Sequence, residues 1–186
     1  NKYLNDLHEI RQMMRKSTLF LSLSGLSGVL AGVYALIGAA GVYMLLEHHY
    51  IYYPYVLIES RTFKAIMAIA LAVLVASLLT AYLFSARKAK RNGESLVNAT
   101  AKRALYNFAI PLLTGGLLSV LLIKNGYYGL LAPMTLIFYG LACVNVSKYT
   151  FGDVHYLGIT EIVLGLLAVY FPGYGLLFWT LGFGVC

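Results

Sequence analysis

The chain has 186 residues, of which 60% are hydrophobic and 11% charged, with a formal net charge of +7. An ordinary soluble domain carries roughly 25% charged residues, and a fold of this size has too little interior to hide so much apolar surface. Composition therefore excludes a water-soluble enzyme core and points to a bilayer, whose ~30 Å hydrocarbon layer takes roughly 20 apolar residues per helix. The expected fold class is all-α: a polytopic membrane bundle of six transmembrane helices, preceded by a short amphipathic helix.

Residues 1–16 form a cytoplasmic unit in this reading, and residues 17–186 a single transmembrane bundle. Tyr3, Leu7, Ile10 and Met14 recur at helical spacing, so that segment is expected to lie in the membrane interface. Arg11, Arg15 and Lys16 precede an apolar run that is far longer than a signal-peptide core, which makes the run a retained anchor. Spans are expected over residues 19–46, 63–85, 104–123, 129–147, 156–171 and 174–186. The last would cover only about 20 Å by helical rise, so the natural chain is expected to continue past Cys186. Asn1 likewise suggests that residues precede the first one here.

Orientation follows from the cations. With the N-terminus inside, the inner segments hold Lys2, Arg11, Arg15, Lys16, Arg87, Lys88, Lys90, Arg91, Lys102, Arg103 and Lys148. The outer segments hold only Arg61, Lys64 and Lys124. This asymmetry predicts an N-in, C-in topology. The cationic run over residues 87–103, bounded by Arg87 and Arg103, suits anionic lipid headgroups. It lacks the interleaved aromatics that a nucleic-acid surface would need, so no nucleic-acid partner is expected.

Gly116-Leu-Leu-Ser-Val followed by Gly126-Tyr-Tyr-Gly-Leu-Leu echoes Gly165-Leu-Leu-Ala-Val followed by Gly173-Tyr-Gly-Leu-Leu. The third and fourth spans, and the fifth and sixth, are thus candidate tandem hairpins. The stretch from Gly158 through Gly165-Leu-Leu-Ala and Pro172 to Gly182 and Gly184 resembles the paired-helix unit of HdeD-like bacterial membrane proteins. That resemblance covers residues 158–184. It implies a multi-pass protein of the bacterial cytoplasmic (inner) membrane, with a stress association and no catalytic residues to transfer.

Few residues could carry chemistry. Ser24, Gly28 and Gly32 stand four apart on one helical face, a spacing that lets helices approach closely or supports a homo-oligomer. Ala68, Ala72 and Ala76 offer a matching ladder on the second span. Gly25-Leu-Ser-Gly28 spells the GxSG of rhomboid proteases, yet that chemistry needs a histidine on another transmembrane helix. None of His8, His48, His49 and His155 falls inside an expected span. His48 and His49 are adjacent rather than at ligand spacing, which makes them poor metal candidates. Cys143 and Cys186 read as small apolar residues. No cofactor and no enzyme activity are expected.

Glu161 is the most informative residue, because an ionisable group inside a span is costly and marks a functional site by default. Asn107, Asn145 and Lys148 are expected at comparable depth, and Pro111 frees the carbonyl of Asn107. The four residues form a candidate intramembrane polar cluster. Two functions follow: a non-catalytic stress-related or regulatory membrane module in which the carboxyl is interhelical glue, or a small-solute or proton-linked transporter in which it works.

Overall fold

The structure is a computed structural model, and it describes residues 25–47, 60–92, 99–150 and 152–186. Six helices occupy them: α1 Gly25–Glu47, α2 Ser60–Asn92, α3 Ala99–Lys124, α4 Leu131–Val146, α5 Asp153–Tyr170 and α6 Gly175–Val185. Single 3₁₀ turns, Tyr128–Leu130 and Ser147–Tyr149, flank α4. Every described element is helical. The N-terminal amphipathic segment, Ser24, His48 and His49 lie outside the described residues.

Five of the helices are long and apolar enough to cross a membrane, namely α1 to α5. The sixth, α6, is apolar but has 11 residues, about 17 Å of helix. Exposure agrees with lipid rather than water around the bundle. Leu71, Leu74, Leu78 and Leu79 on α2 are all exposed, as are Leu113 and Leu117 on α3. Contiguous apolar surface of that extent is foreign to monomers in water.

Helix ends differ from the expected spans where charged residues are good helix formers. The second span, expected to stop at 85, continues as α2 through Arg87, Lys88, Lys90 and Arg91 to Asn92. Lys and Arg prolong a helix readily while their long stems carry the charge outward. The basic run is therefore partly helical. At the other end, Lys102 and Arg103 lie exposed in the first turns of α3. Pro111 does not end α3, which runs on to Lys124.

The turns after α3 and after α5 each use one glycine at positive φ, by different devices. Gly126 (φ 79°) follows α3 with its N–H on the Ile123 carbonyl, and the Tyr127 N–H reaches the Leu122 carbonyl. That pair of bonds is a Schellman cap, which asks for the left-handed residue glycine supplies most readily. After α5, Pro172 and Gly173 (φ 99°) form the centre of a turn closed by the Tyr174 N–H on the Phe171 carbonyl, 3.3 Å. Proline then glycine is the type II signature.

The helices form two groups. α3, α4 and α5 pack as an antiparallel series, and α1 pairs with α2. α6 joins them, lying against α1 on one side and against α4 and α5 on the other. A ring contact between Phe63 and Tyr128, centroids 4.9 Å apart, adds a second link at the opening of α2.

Candidate functional site

The site is built on the α4–α5 crossing. Gly140 on α4 and Gly158 on α5 face each other so closely that a Cβ on Gly140 would lie 2.6 Å from the Gly158 carbonyl oxygen. The converse distance, from Gly158 to the Gly140 oxygen, is 2.7 Å. Two turns on, a Cβ on Gly165 would meet Ile137 at 2.6 Å and the Pro133 oxygen at 3.0 Å. Bare glycine on both helices brings the backbones together, which is how membrane helices gain dispersion energy where lipid offers no hydrophobic incentive.

That crossing turns Glu161 inward. The buried residues of α5 are Gly158, Glu161, Gly165 and Ala168, one stripe. Glu161 is 1% exposed. It stands eight residues into α5, about 12 Å from either end by helical rise and thus near the middle of the helix. Its carboxyl rests on α6, where a Cβ on Gly182 would lie 2.5 Å from Glu161 Oε2 and 2.5 Å from Leu136 Cδ2. Gly182, Leu136 and Glu161 therefore share one closed junction of α4, α5 and α6. Glu161 Oε2 has no hydrogen-bond partner among the described residues.

The polar residues expected around Glu161 are not brought to it. Gly140 opposite Gly158, and Ile137 opposite Gly165, set a register in which Glu161 stands level with Tyr139 and Gly140. Asn145 and Lys148 lie five to eight residues farther along, about 8–12 Å towards the end of α4. Asn107 is displaced similarly, because Gly115 on α3 meets Phe138 on α4. Its side-chain amide donates to the Arg103 carbonyl of its own helix, 2.8 Å. Lys148 is exposed in the turn after α4. The grouping of Glu161 with Asn107, Asn145 and Lys148 is corrected accordingly. Sequence spacing places a residue along its own helix, but the register between helices comes from the glycine contacts.

Other groups take their place. Tyr139 and Cys143, one turn apart on α4, face each other with hydroxyl and thiol, and Glu161 is within electrostatic range of both. Cys186, at the end of α6, is also within that range. The Tyr139 ring packs on Phe183 of α6 (centroids 5.0 Å) and edge-on to Phe108 of α3 (6.2 Å). Cys143 is buried and free, as a small apolar residue would be. Only the i, i+4 spacing of a tyrosine and a cysteine in an apolar helix could have flagged the pair.

The small-residue ladder divides differently from its expected role. A Cβ on Gly28 would meet nothing within 4 Å among the described residues, and one on Gly32 would lie 3.2 Å from the Gly184 oxygen of α6. The α1–α2 contact is made instead by Gly38 and Gly41 against Val73 and Ile69. A groove of about 400 Å³ runs along that contact, lined by Tyr34, Gly38, Gly41, Ile69, Ala72 and Val73 among others. Residues facing α2 and those facing α6 lie on different sides of α1.

His155 falls in the first turn of α5, not outside the helix as expected, and is exposed. Its Nδ1 lies 3.4 Å from Ser147 Oγ. No three His, Cys, Asp or Glu side chains among the described residues come together as a metal set. No protein-family model, curated protein or solved structure matches the chain.

Proposed function

We propose that the chain is a non-catalytic, multi-pass membrane module, regulatory or stress-related, whose working group is a Glu161 carboxyl that gains and loses a proton inside the helix bundle. The observation that carries this reading is the burial of Glu161 at mid-helix with an oxygen that has no hydrogen-bond partner among the described residues. A carboxyl kept as glue should be held by donors from neighbouring helices. Leaving a buried polar atom unsatisfied costs about 1–3 kcal/mol, a sacrifice of stability typical of functional positions. The charged form would be far costlier still in an apolar junction, so the resting group is the neutral acid.

In this proposal six helices cross a bacterial cytoplasmic membrane, with both ends inside. The exposed cations of α2 and α3 lie against anionic lipid headgroups on the inner face. The excess of cations in the inner segments and the resemblance to HdeD-like proteins support that placement. Close packing of Gly140, Gly158 and Gly182 around the carboxyl favours a proton-responsive module over a permease. Proton-linked transport is the second reading, since an oxygen without a partner among the described residues suits it equally, and proteoliposome proton flux abolished by Glu161→Gln would select it.

Two measurements test the main reading. In infrared difference spectra of the protein in liposomes, Glu161→Gln should remove a protonated-carboxyl band near neutral pH; no lost band would refute a neutral Glu161. In detergent, Glu161→Leu should melt at or above the wild-type temperature, because an apolar group replaces an unpaired polar one. A clear loss of stability in that variant would restore the glue reading. For topology, with Cys186→Ser as background, a cysteine at Asn125 should react with an impermeant thiol reagent on intact cells and one at Asn92 should not.

A further inference from the structure

A buried acid that exchanges its proton needs a path to water, and the packing shows where one is available. Gly182 and Leu136 close the junction on the α6 and α4 sides. The α1–α2 groove is not lined by Glu161. Along α4, by contrast, Tyr139, Cys143 and Ser147 follow at intervals of four, one helical turn or about 6 Å each, and so fall on one stripe. The stripe begins level with Glu161. It ends at Ser147, whose hydroxyl donates to the Val144 carbonyl at 2.7 Å and lies 3.4 Å from Nδ1 of the exposed His155. With its single proton on Val144, Ser147 is left as acceptor, so His155 contributes the Nδ1–H.

We propose that Tyr139, Cys143 and Ser147 form the proton route between Glu161 and the water at the start of α5, with His155 as its outer terminus. This rests on the reading of Glu161 as an exchanging acid. Tyrosine and serine hydroxyls each donate and accept, and a thiol does both weakly; once the Ser147 hydroxyl turns from the Val144 carbonyl towards Cys143, every member can take a proton on one side and release one on the other. Net transfer moves one proton and leaves each relay group as it was. Among the described residues, the other titratable groups bearing on Glu161 from the packed helices are Tyr139 and Cys143 themselves on α4, and Cys186 on α6. Cys186 is exposed at the end of α6 and lacks a relay partner among the described residues, whereas the α4 stripe leads on to an exposed histidine.

Hydrogen–deuterium exchange of the Glu161 carboxyl, followed by infrared spectroscopy after a switch from H₂O to D₂O buffer, tests the route on the full chain in liposomes. The band is assigned by its loss in Glu161→Gln. Tyr139→Phe and Cys143→Ala should each slow its exchange at least tenfold, and Ser147→Ala several-fold. Cys143→Ser, which keeps a relay group, should restore the wild-type rate, and exposed Thr160→Val should leave it unchanged. Melting temperatures within a few degrees of wild type establish that slowing reflects the relay and not unfolding. If the band is present and both Tyr139→Phe and Cys143→Ala exchange at the wild-type rate, the route is wrong while the neutral acid stands. If the band is missing from the wild-type protein, the proton-bearing Glu161 falls, and the route with it.

Discussion

The α4–α5 and α1–α2 interfaces use the same residue types and reach opposite results. On α4 and α5, glycine meets glycine: Gly140 and Gly158 touch backbone to backbone, and each Cβ would strike a carbonyl oxygen under 3 Å away. On α1, Gly38 and Gly41 meet the branched side chains of Val73 and Ile69 instead. There the helices stay apart, a groove of about 400 Å³ remains, and the polar contact is Tyr34 Oη to Thr80 Oγ1 at 3.3 Å. A small residue brings two backbones closest when its opposite number is also small. The tight interface fixes a buried acid, and the loose one leaves side chains free to adjust.

Substitutions can break or sharpen that contrast. The largest effect should come from Gly140→Val, which drives a branched side chain into the Gly158 backbone and the Ile162 side chain. Overpacking ordinarily costs about 1–3 kcal/mol, and where the obstacle is backbone the upper end or beyond is expected. Circular dichroism melting in detergent should show loss of the folded bundle or a steep fall in its midpoint.

Gly182→Ala should rank next, at about 1–3 kcal/mol, because its methyl collides with both the Glu161 carboxyl and Leu136. Combining it with Leu136→Ala should recover part of the loss. A double-mutant cycle showing no coupling between the two positions would contradict the shared junction.

Gly38→Ala should cost less, about 1 kcal/mol or below. Its first obstacle, Val73 Cγ2 at 2.6 Å, is a side chain beside an open groove. Val73→Ala should rescue it fully, an outcome unavailable to Gly140→Val. Smallest of all, Gly28→Ala should be neutral or stabilising by up to about 0.5–1 kcal/mol, since alanine is the better helix former and nothing among the described residues lies within 4 Å. A marked loss at Gly28 would show that another helix or a second copy covers that face.

How much of this could be read beforehand depends on the range of the interaction involved. Helical class and the approximate limits of the apolar helices follow from local composition, so α3, α5 and α6 fall within a few residues of their expected spans. The inward face of α5 was legible too, because Gly158, Glu161, Gly165 and Ala168 share one side of a helix whatever surrounds it. Partners were not. Asn107, Asn145 and Lys148 were grouped with Glu161 from their distance to helix ends, whereas the register set by Gly140 and Gly158 puts Tyr139 and Cys143 there. For the same reason the ladder of Gly28 and Gly32 could not be assigned to α2 or α6 from spacing alone. Periodicity tells which residues share a face, but not which face another helix will choose.

The position of α6 bears on how the chain is put together during synthesis. The α1–α2 pair meets the other helices chiefly through α6, which is the last of the six to leave the ribosome. The N-terminal pair must therefore wait in the bilayer while α3, α4 and α5 emerge and assemble. During that interval the α1 face around Gly32 and Leu36, which α6 later covers, stays open to lipid and to neighbouring chains. The contact that completes the bundle joins residues about 150 positions apart in sequence, from Gly32 to Gly184. Such distant pairings form slowly. Assembly should thus proceed in two steps, with docking of α6 as the late one, and the exposed α1 face is where misassembly would begin if that step were delayed.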